Sequence, residues 1–533
     1  MTQTAPAPSV AARRGGASAA QSAPARDGRT RRAAWLLGAA GLVLVFTVRP
    51  FGADPDVWWH LAVGRLITAH GIPSQEPFTF LGAPNAWIGQ QWGYEVALAR
   101  LVDAGGPALA MVVMGLVGST AFVVAALSTR RRDRVPAWAK AAAIAVSALV
   151  AGELLGVRGQ VVTVLGAAVT LLIVVRWRDG SRRAPWALVP LLAVWANLHA
   201  GFLVGLALPL IAALTVSVWQ LAAPVSAPKA RTGRLVLATA AAAAAVLANP
   251  AGPHLYGYVA QTFVNPTLTG SITEWQSPNF HLTGLRLFEI EAVGLVVLWV
   301  LSRRPDPLDV VLALAAVAAS LQAQRNVALF AVVATPQLAT YGARSWERWR
   351  TARPLSVRRP RAPSWFAPAL AAVVILASVG IDVLPNARPA ATRDYEARHE
   401  PKAAADYVST HLRGQRLYST YEWGGYLAYR FPDDRAVYVY GESAVLGPAR
   451  LDEYLQVHYL EAGWQDVLHS RQMRVAVVPA GSQETAAFLE VGWMPLCYDR
   501  ESGATVLIAP TAPQIGPPAV DPPDASGGSA CTT

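Results

Sequence analysis

The chain has 533 residues, 53% of them hydrophobic and only 15% charged, with a formal net charge of +11. Soluble chains carry about 25% charged residues, so this balance excludes a string of soluble domains. The basic residues fall in short, separate clusters, which excludes a nucleic-acid surface despite the positive sum.

Residues 1–32 are rich in Ala, Pro, Ser and Arg and read as a disordered cytoplasmic tail. Apolar runs long enough to cross a bilayer follow at 33–50, 108–129, 138–155, 160–175, 184–198, 200–222, 234–249, 285–302, 307–323, 326–342 and 364–384. Residues 33–384 are therefore expected to form an all-α polytopic membrane domain of about eleven transmembrane helices. Lys and Arg cluster before residue 33 and at 130–140, 176–183, 229–234, 303–304 and 344–361, on alternate sides of these runs. The positive-inside rule places those clusters and the N-terminus in the cytoplasm. It places the segment after residue 384 outside.

Beyond that point the hydrophobic period changes. Residues 385–510 read as a small extracytoplasmic α/β domain, with strands at 417–423, 425–431, 436–441 and 474–479 and helices at 401–412 and 451–470. Residues 511–533 read as a second disordered tail. Cys497 and Cys531 are too few for a disulfide framework or a Cys-based metal cluster, and Cys497 is expected to be buried and alone. Glu442 is expected on a solvated surface.

Polar chemistry collects on the outer side, above all in the first outer loop, 51–107. There Asp54-Pro-Asp56 precedes Val-Trp58-Trp59-His60 and an amphipathic stretch to Ala69, which suits a helix lying at the membrane interface. Two close carboxylates can supply a general base for an acceptor hydroxyl, or together hold a divalent cation such as Mg or Mn. Alternatively, Asp54 simply caps the helix. Trp58 and His60 follow at once and, with His199 and Asn326 of other outer loops, are candidates for binding the lipid phosphate or substrate. Other outer loops carry Arg158, His199, Glu274, and the pair Arg325-Asn326. An arginine at headgroup level binds phosphate through paired charge-assisted bonds, so Arg158 and Arg325 are candidates for a lipid-phosphate site. Ordinary snorkelling of arginine, and a helix-end histidine making one hydrogen bond, are the plainer readings.

The motif Asp54-Pro-Asp-Val-Trp-Trp-His resembles the GT-C superfamily of membrane glycosyltransferases, more closely a poorly characterised bacterial branch with an extracytoplasmic C-terminal domain. Asn197-Leu-His-Ala-Gly, Asn249-Pro through Glu274-Trp, Arg325-Asn326 and Trp423-Gly-Gly-Tyr426 carry the same resemblance over roughly 33–510. It implies a bacterial cytoplasmic-membrane enzyme that moves a sugar, with inversion, from a polyprenyl-phosphate or -diphosphate donor to a glycan, lipid or protein acceptor. It implies Asp54 or Asp56 as base or metal ligand, with Glu76 and Glu274 as second carboxylates by position.

Two other readings compete. A transporter or flippase of a lipid-linked or polar substrate would favour internal repeats and polar groups at mid-span. A non-catalytic scaffold would use the first-loop acids only as caps.

Overall fold

The computed structural model describes residues 23–82, 86–264, 266–352, 362–510 and 529–531. Helices run in the order α1 (Ala23–Thr47), α2 (Asp56–His70), α3 (Trp92–Leu127), α4 (Ala137–Ala151), α5 (Gln160–Arg178), α6 (Leu188–Trp195), α7 (Leu203–Ala222) and α8 (Thr232–Ala245). They continue as α9 (His254–Val264), α10 (Pro266–Ser271), α11 (Thr283–Ser302), α12 (Pro307–Gln322), α13 (Val327–Ala352) and α14 (Phe366–Ser378). Each apolar run of the sequence coincides with one of these helices. Four stretches, Trp92–Leu127, Gln160–Arg178, Ala200–Ala222 and Phe366–Asn386, are long and apolar enough by themselves to cross a membrane. Their outer faces are apolar. Leu214, Leu221, Val373 and Leu376 are all exposed, an arrangement that water would oppose and lipid accepts.

The expected N-terminal tail is shorter than 1–32, because α1 is already helical at Ala23. Ala and Arg favour helix and carry it back from the apolar run. The rest of that tail, and nearly all of 511–533, lie outside the described residues. The helix α3 starts before the expected run at 108. It bends at Gly105 and Gly106, where φ is +69° at the second glycine, and Pro107 restarts it.

The first-loop helix α2 departs from the expected interfacial one. Val57 to Gly64 are buried all round, because α2 lies between α3 and a helix of the C-terminal domain. A Cβ on Gly64 would come within 2.0 Å of the Glu95 carbonyl oxygen, so only glycine allows this approach to α3.

At the opposite end of the helices Arg130 pairs with Asp133 and Asp306, Arg178 with Asp306, and Arg344 with Asp133 at 2.8 Å. Tyr341 donates to Asp309 at 2.6 Å. The sequence suggests arginines with almost no mixed chemistry there. The partners come from four separate segments and meet only in the fold.

The chain then continues through a π turn (Val379–Val383) and α15 (Leu384–Asn386) into α16 (Pro389–His399) and α17 (Lys402–His411). Next come β1 (Leu417–Ser419), α18 (Tyr421–Arg430), α19 (Ser443–Leu446), α20 (Pro448–His458) and α21 (Trp464–Ser470). The last elements are β2 (Val475–Pro479), α22 (Gln483–Glu490), β3 (Met494–Tyr498) and β4 (Ala504–Ile508). The sheet order is β1-β2-β4-β3, with β1 parallel to β2 and the other neighbours antiparallel.

Four expectations for this domain are corrected. The strand expected at 436–441 is absent: that stretch forms only an isolated bridge, Val437 with Thr79 of the first loop. The segment 425–431 is helical, because Trp423, Tyr426 and Leu427 fall on one helix face that packs on α2. The helix expected at 451–470 breaks at Gly463, whose φ is +85°. Cys497 is not alone: it is disulfide-bonded to Cys531, and Tyr498 pairs with Ala530 beside it.

Candidate functional site

A cavity of about 650 Å³ opens where the cavity-side ends of the helices meet the C-terminal domain. Asp54, Asp56, His60, Arg158, His199, Glu274, Arg325 and Asn326 all line it. The sequence drew these from five separate segments; the fold brings them together.

The turn before α2 sets both aspartates. Asp54 Oδ1 accepts from the Asp56 backbone N–H at 3.1 Å, so the capping role is present. Its other oxygen pairs with Arg158 Nε at 2.6 Å, which a cap alone does not require. Arg158 also pairs with Glu274 and thus bridges two carboxylates. Burial opposes the Arg158 charge, but Asp54 and then Glu274 outweigh it and raise its pKa. Burial by itself would raise Glu274; Arg158 more than offsets that and holds its pKa down.

Asp56 differs from its neighbour. Its Oδ1 accepts from Trp59 Nε1 at 2.9 Å, and no basic side chain pairs with it among the described residues. Burial, followed by the negative charge of Asp54, raises its pKa to about 7. The C-terminal domain covers it directly. A Cβ on Gly441 would lie 2.0 Å from Asp56 Oδ1 and 2.6 Å from Trp59 Nε1.

His60 Nδ1 meets Glu95 at 3.1 Å, and burial depresses its pKa, with His199 and Arg158 adding to the effect. His199 Nδ1 accepts from Gly201 N–H at 3.0 Å and meets Thr163 Oγ1 at 2.8 Å. Burial, then Arg325 and Arg158, lower its pKa to about 3, so its imidazole is neutral. The Arg325 guanidinium lies 4.4 Å from the Trp275 ring centroid, a cation–π contact that holds its plane. Its own burial lowers its pKa. Asn326 donates to the Ala319 carbonyl at 3.0 Å and so braces the turn that presents Arg325.

Two expected site residues lie elsewhere. Glu76 is 1% exposed and accepts from the Phe78 and Thr79 N–H groups of its own loop, which commits both oxygens to holding that turn. Trp58 points away from the cavity, against Phe51, Tyr426 and Tyr429, and its Nε1 donates to Glu400 at 2.8 Å. Successive residues of a helix face different ways, so Trp59 reaches the cavity and Trp58 does not.

The sequence missed Gln90, Tyr258 and Glu442, which also line the cavity, as does Tyr421, whose ring beside Gly424 and Gly425 offers a sugar-stacking surface or a core aromatic. Glu442, expected on the surface, is 3% exposed. It accepts from Tyr258 at 2.8 Å and from Gln90 at 2.8 Å, and burial raises its pKa to about 6. No local pattern marks it, because its partners lie far away in the chain.

The other quoted motifs act as braces. Trp92 Nε1 donates to Asn197 at 2.7 Å, and Asn249 donates to the Ala196 carbonyl at 2.9 Å. Asp54 and Asp56 are the pair expected to hold a divalent cation, and here they have different partners. Asp54 faces a guanidinium, and among the described residues no three His, Cys, Asp or Glu side chains are placed to hold a metal ion.

No protein-family model and no curated protein matches the chain. Among solved structures it is similar to the apo oligosaccharyltransferase of Archaeoglobus fulgidus, with a TM-score of 0.50 and 13% identity over 84% of this chain and 69% of that one. ArnT from Cupriavidus metallidurans matches in its apo state, with a TM-score of 0.45 and 15% identity over 92% of this chain and 98% of that one. The same protein bound to undecaprenyl phosphate gives a TM-score of 0.44 and 15% identity over 94% and 100%. Apolar helices, a first-loop acidic turn at a large cavity and the likeness to the oligosaccharyltransferase lead to one fold: the chain is a polytopic membrane protein with the fold of the GT-C membrane glycosyltransferases.

Proposed function

We propose that this protein is an inverting glycosyltransferase that takes a sugar from a polyprenyl-phosphate or -diphosphate donor. The observation that carries the reading is the Asp54–Arg158–Glu274 bridge beside a half-buried Asp56 that has no basic partner among the described residues, all in one cavity. Asp56 is the base and Asp54 is the carboxylate that holds Arg158. A carboxyl group with a pKa near neutrality is half deprotonated at working pH and still takes up a proton well.

In the reaction Asp56 takes the proton of the acceptor hydroxyl. The acceptor oxygen bonds to C1 of the sugar as the bond from C1 to the phosphate oxygen breaks. The phosphate leaves with the electron pair, and Arg158 and Arg325 meet its negative charge. One displacement inverts C1.

We also propose that the cavity opens on the extracytoplasmic side of a bacterial cytoplasmic membrane. The alternating basic clusters support this orientation, and so does a disulfide in the C-terminal domain, since disulfides persist in oxidising compartments.

The test uses the full-length protein and a panel of synthetic polyprenyl-phosphate sugars, with sugar release or transfer as the readout. The wild type consumes at least one donor, Asp56→Asn loses about 100-fold or more in rate, and both bind undecaprenyl phosphate equally. Full turnover by a folded Asp56→Asn variant would overturn the reading.

A further inference from the structure

The proposed chemistry uses one wall of the cavity and leaves the other unexplained. On the used wall, Asp54 holds Arg158, and Arg325 lies on Trp275. On the other wall the C-terminal domain brings in Glu442. Gly441, the residue before it, closes directly over Asp56, so the base stands between the two walls. Glu442 joins three parts of the chain that are far apart in sequence. Tyr258 from α9 donates to Oε1 at 2.8 Å, and Gln90 from the first loop donates to Oε2 at 2.8 Å. Both partners are neutral. Each carboxylate oxygen keeps a further lone pair for a donor inside the cavity.

Aromatic groups flank this carboxylate. Tyr421 and Tyr454 lie with their ring centroids 6.1 Å apart, and Tyr421 Oη meets Ser443 Oγ at 2.5 Å. A buried carboxylate beside hydroxyls and the half-buried Tyr421 ring, which Tyr454 backs from the core, suits a saccharide, whose hydroxyls donate to the carboxylate and whose C–H face lies on the ring. A structural tie between the domain and the helices would need no open cavity and no ring pair at its side.

We infer that Glu442 anchors an acceptor subsite for a neutral, hydroxyl-rich saccharide, held by the C-terminal domain against Asp56. This rests on the transferase reading and adds the acceptor class to it. Glu442 binds one acceptor hydroxyl and turns a neighbouring one toward Asp56.

The test titrates the purified full-length protein in detergent with two probes, undecaprenyl phosphate and neutral methyl glycosides of common hexoses, following the heat of binding by calorimetry. The wild type is expected to bind both. In Glu442→Gln the amide oxygen still accepts from Tyr258, and the amide N–H2 donates to Gln90 once the Gln90 amide turns over, so the variant is expected to lose about 10-fold or more in glycoside affinity, keep undecaprenyl phosphate affinity within twofold and keep its Tm. Equal glycoside binding by Glu442→Gln and wild type overturns the inference. Parallel loss of both probes with a lowered Tm also overturns it, because it marks a structural tie. A wild type that binds undecaprenyl phosphate but no glycoside overturns the inference and leaves the transferase reading standing. A wild type that binds neither overturns both.

Discussion

Among individual side chains, two aspartates two positions apart have different chemistry because one has an arginine and the other has a tryptophan N–H. The pH dependence follows. Asp56 must be deprotonated to act, so the rate falls tenfold per unit as pH drops below about 7. Replacing Asp54 removes the like charge and frees Arg158, and both changes lower the Asp56 pKa. The residual activity of Asp54→Asn is therefore expected to have its acid limb at lower pH, as a pH–rate profile would show. Arg158→Ala and Arg325→Ala should each weaken undecaprenyl phosphate binding about 10- to 100-fold, the worth of a charge-assisted hydrogen bond, as titration would measure. Transfer should persist in excess EDTA, since Arg158 occupies the place of the positive charge.

Between elements, the contact that makes the site is α2 held between α3 and α18. Trp58 also ties α2 to Glu400 at the end of α16, and burial raises the Glu400 pKa to about 8. The folded state thus binds a proton that the unfolded chain releases near 4.5. Stability is full below that value and falls as pH rises toward 8. Glu400→Gln keeps the acceptor for Trp58 and removes the charge. It should leave the thermal midpoint unchanged at pH 4 and raise stability by about 1–3 kcal/mol at pH 9, as melts at the two pH values would show. Gly441→Ala should act in the other direction. Its Cβ meets a carboxylate oxygen at 2.0 Å, so the loop must lift from α2. Both the thermal midpoint and the transfer rate should fall.

For the molecule as a whole, the C-terminal domain is one wall of the cavity, so the cavity exists only with that domain docked. The Cys497–Cys531 bridge closes a loop with a sequence separation of 34 residues. Its removal should cost about 2–4 kcal/mol, seen as a lower thermal midpoint of Cys497→Ser with lipid-phosphate binding retained at low temperature.

The sequence by itself determined the fold class and the side of the molecule where polar chemistry gathers. Both follow from periodic, additive properties: apolar run length against bilayer thickness, and the alternation of charge clusters. It also pointed to Asp54, Arg158, His199, Glu274 and Arg325, because a charge beside an apolar run needs a cavity or water. The tertiary structure alone decided which of these meet. It gave Asp54 and Asp56 different partners, turned Trp58 and Glu76 away, moved Glu442 from an expected surface into the cavity, and paired Cys497 with Cys531. The reason is distance along the chain. Glu442 lies 352 residues from Gln90 and 184 from Tyr258, and no local period carries information across such gaps.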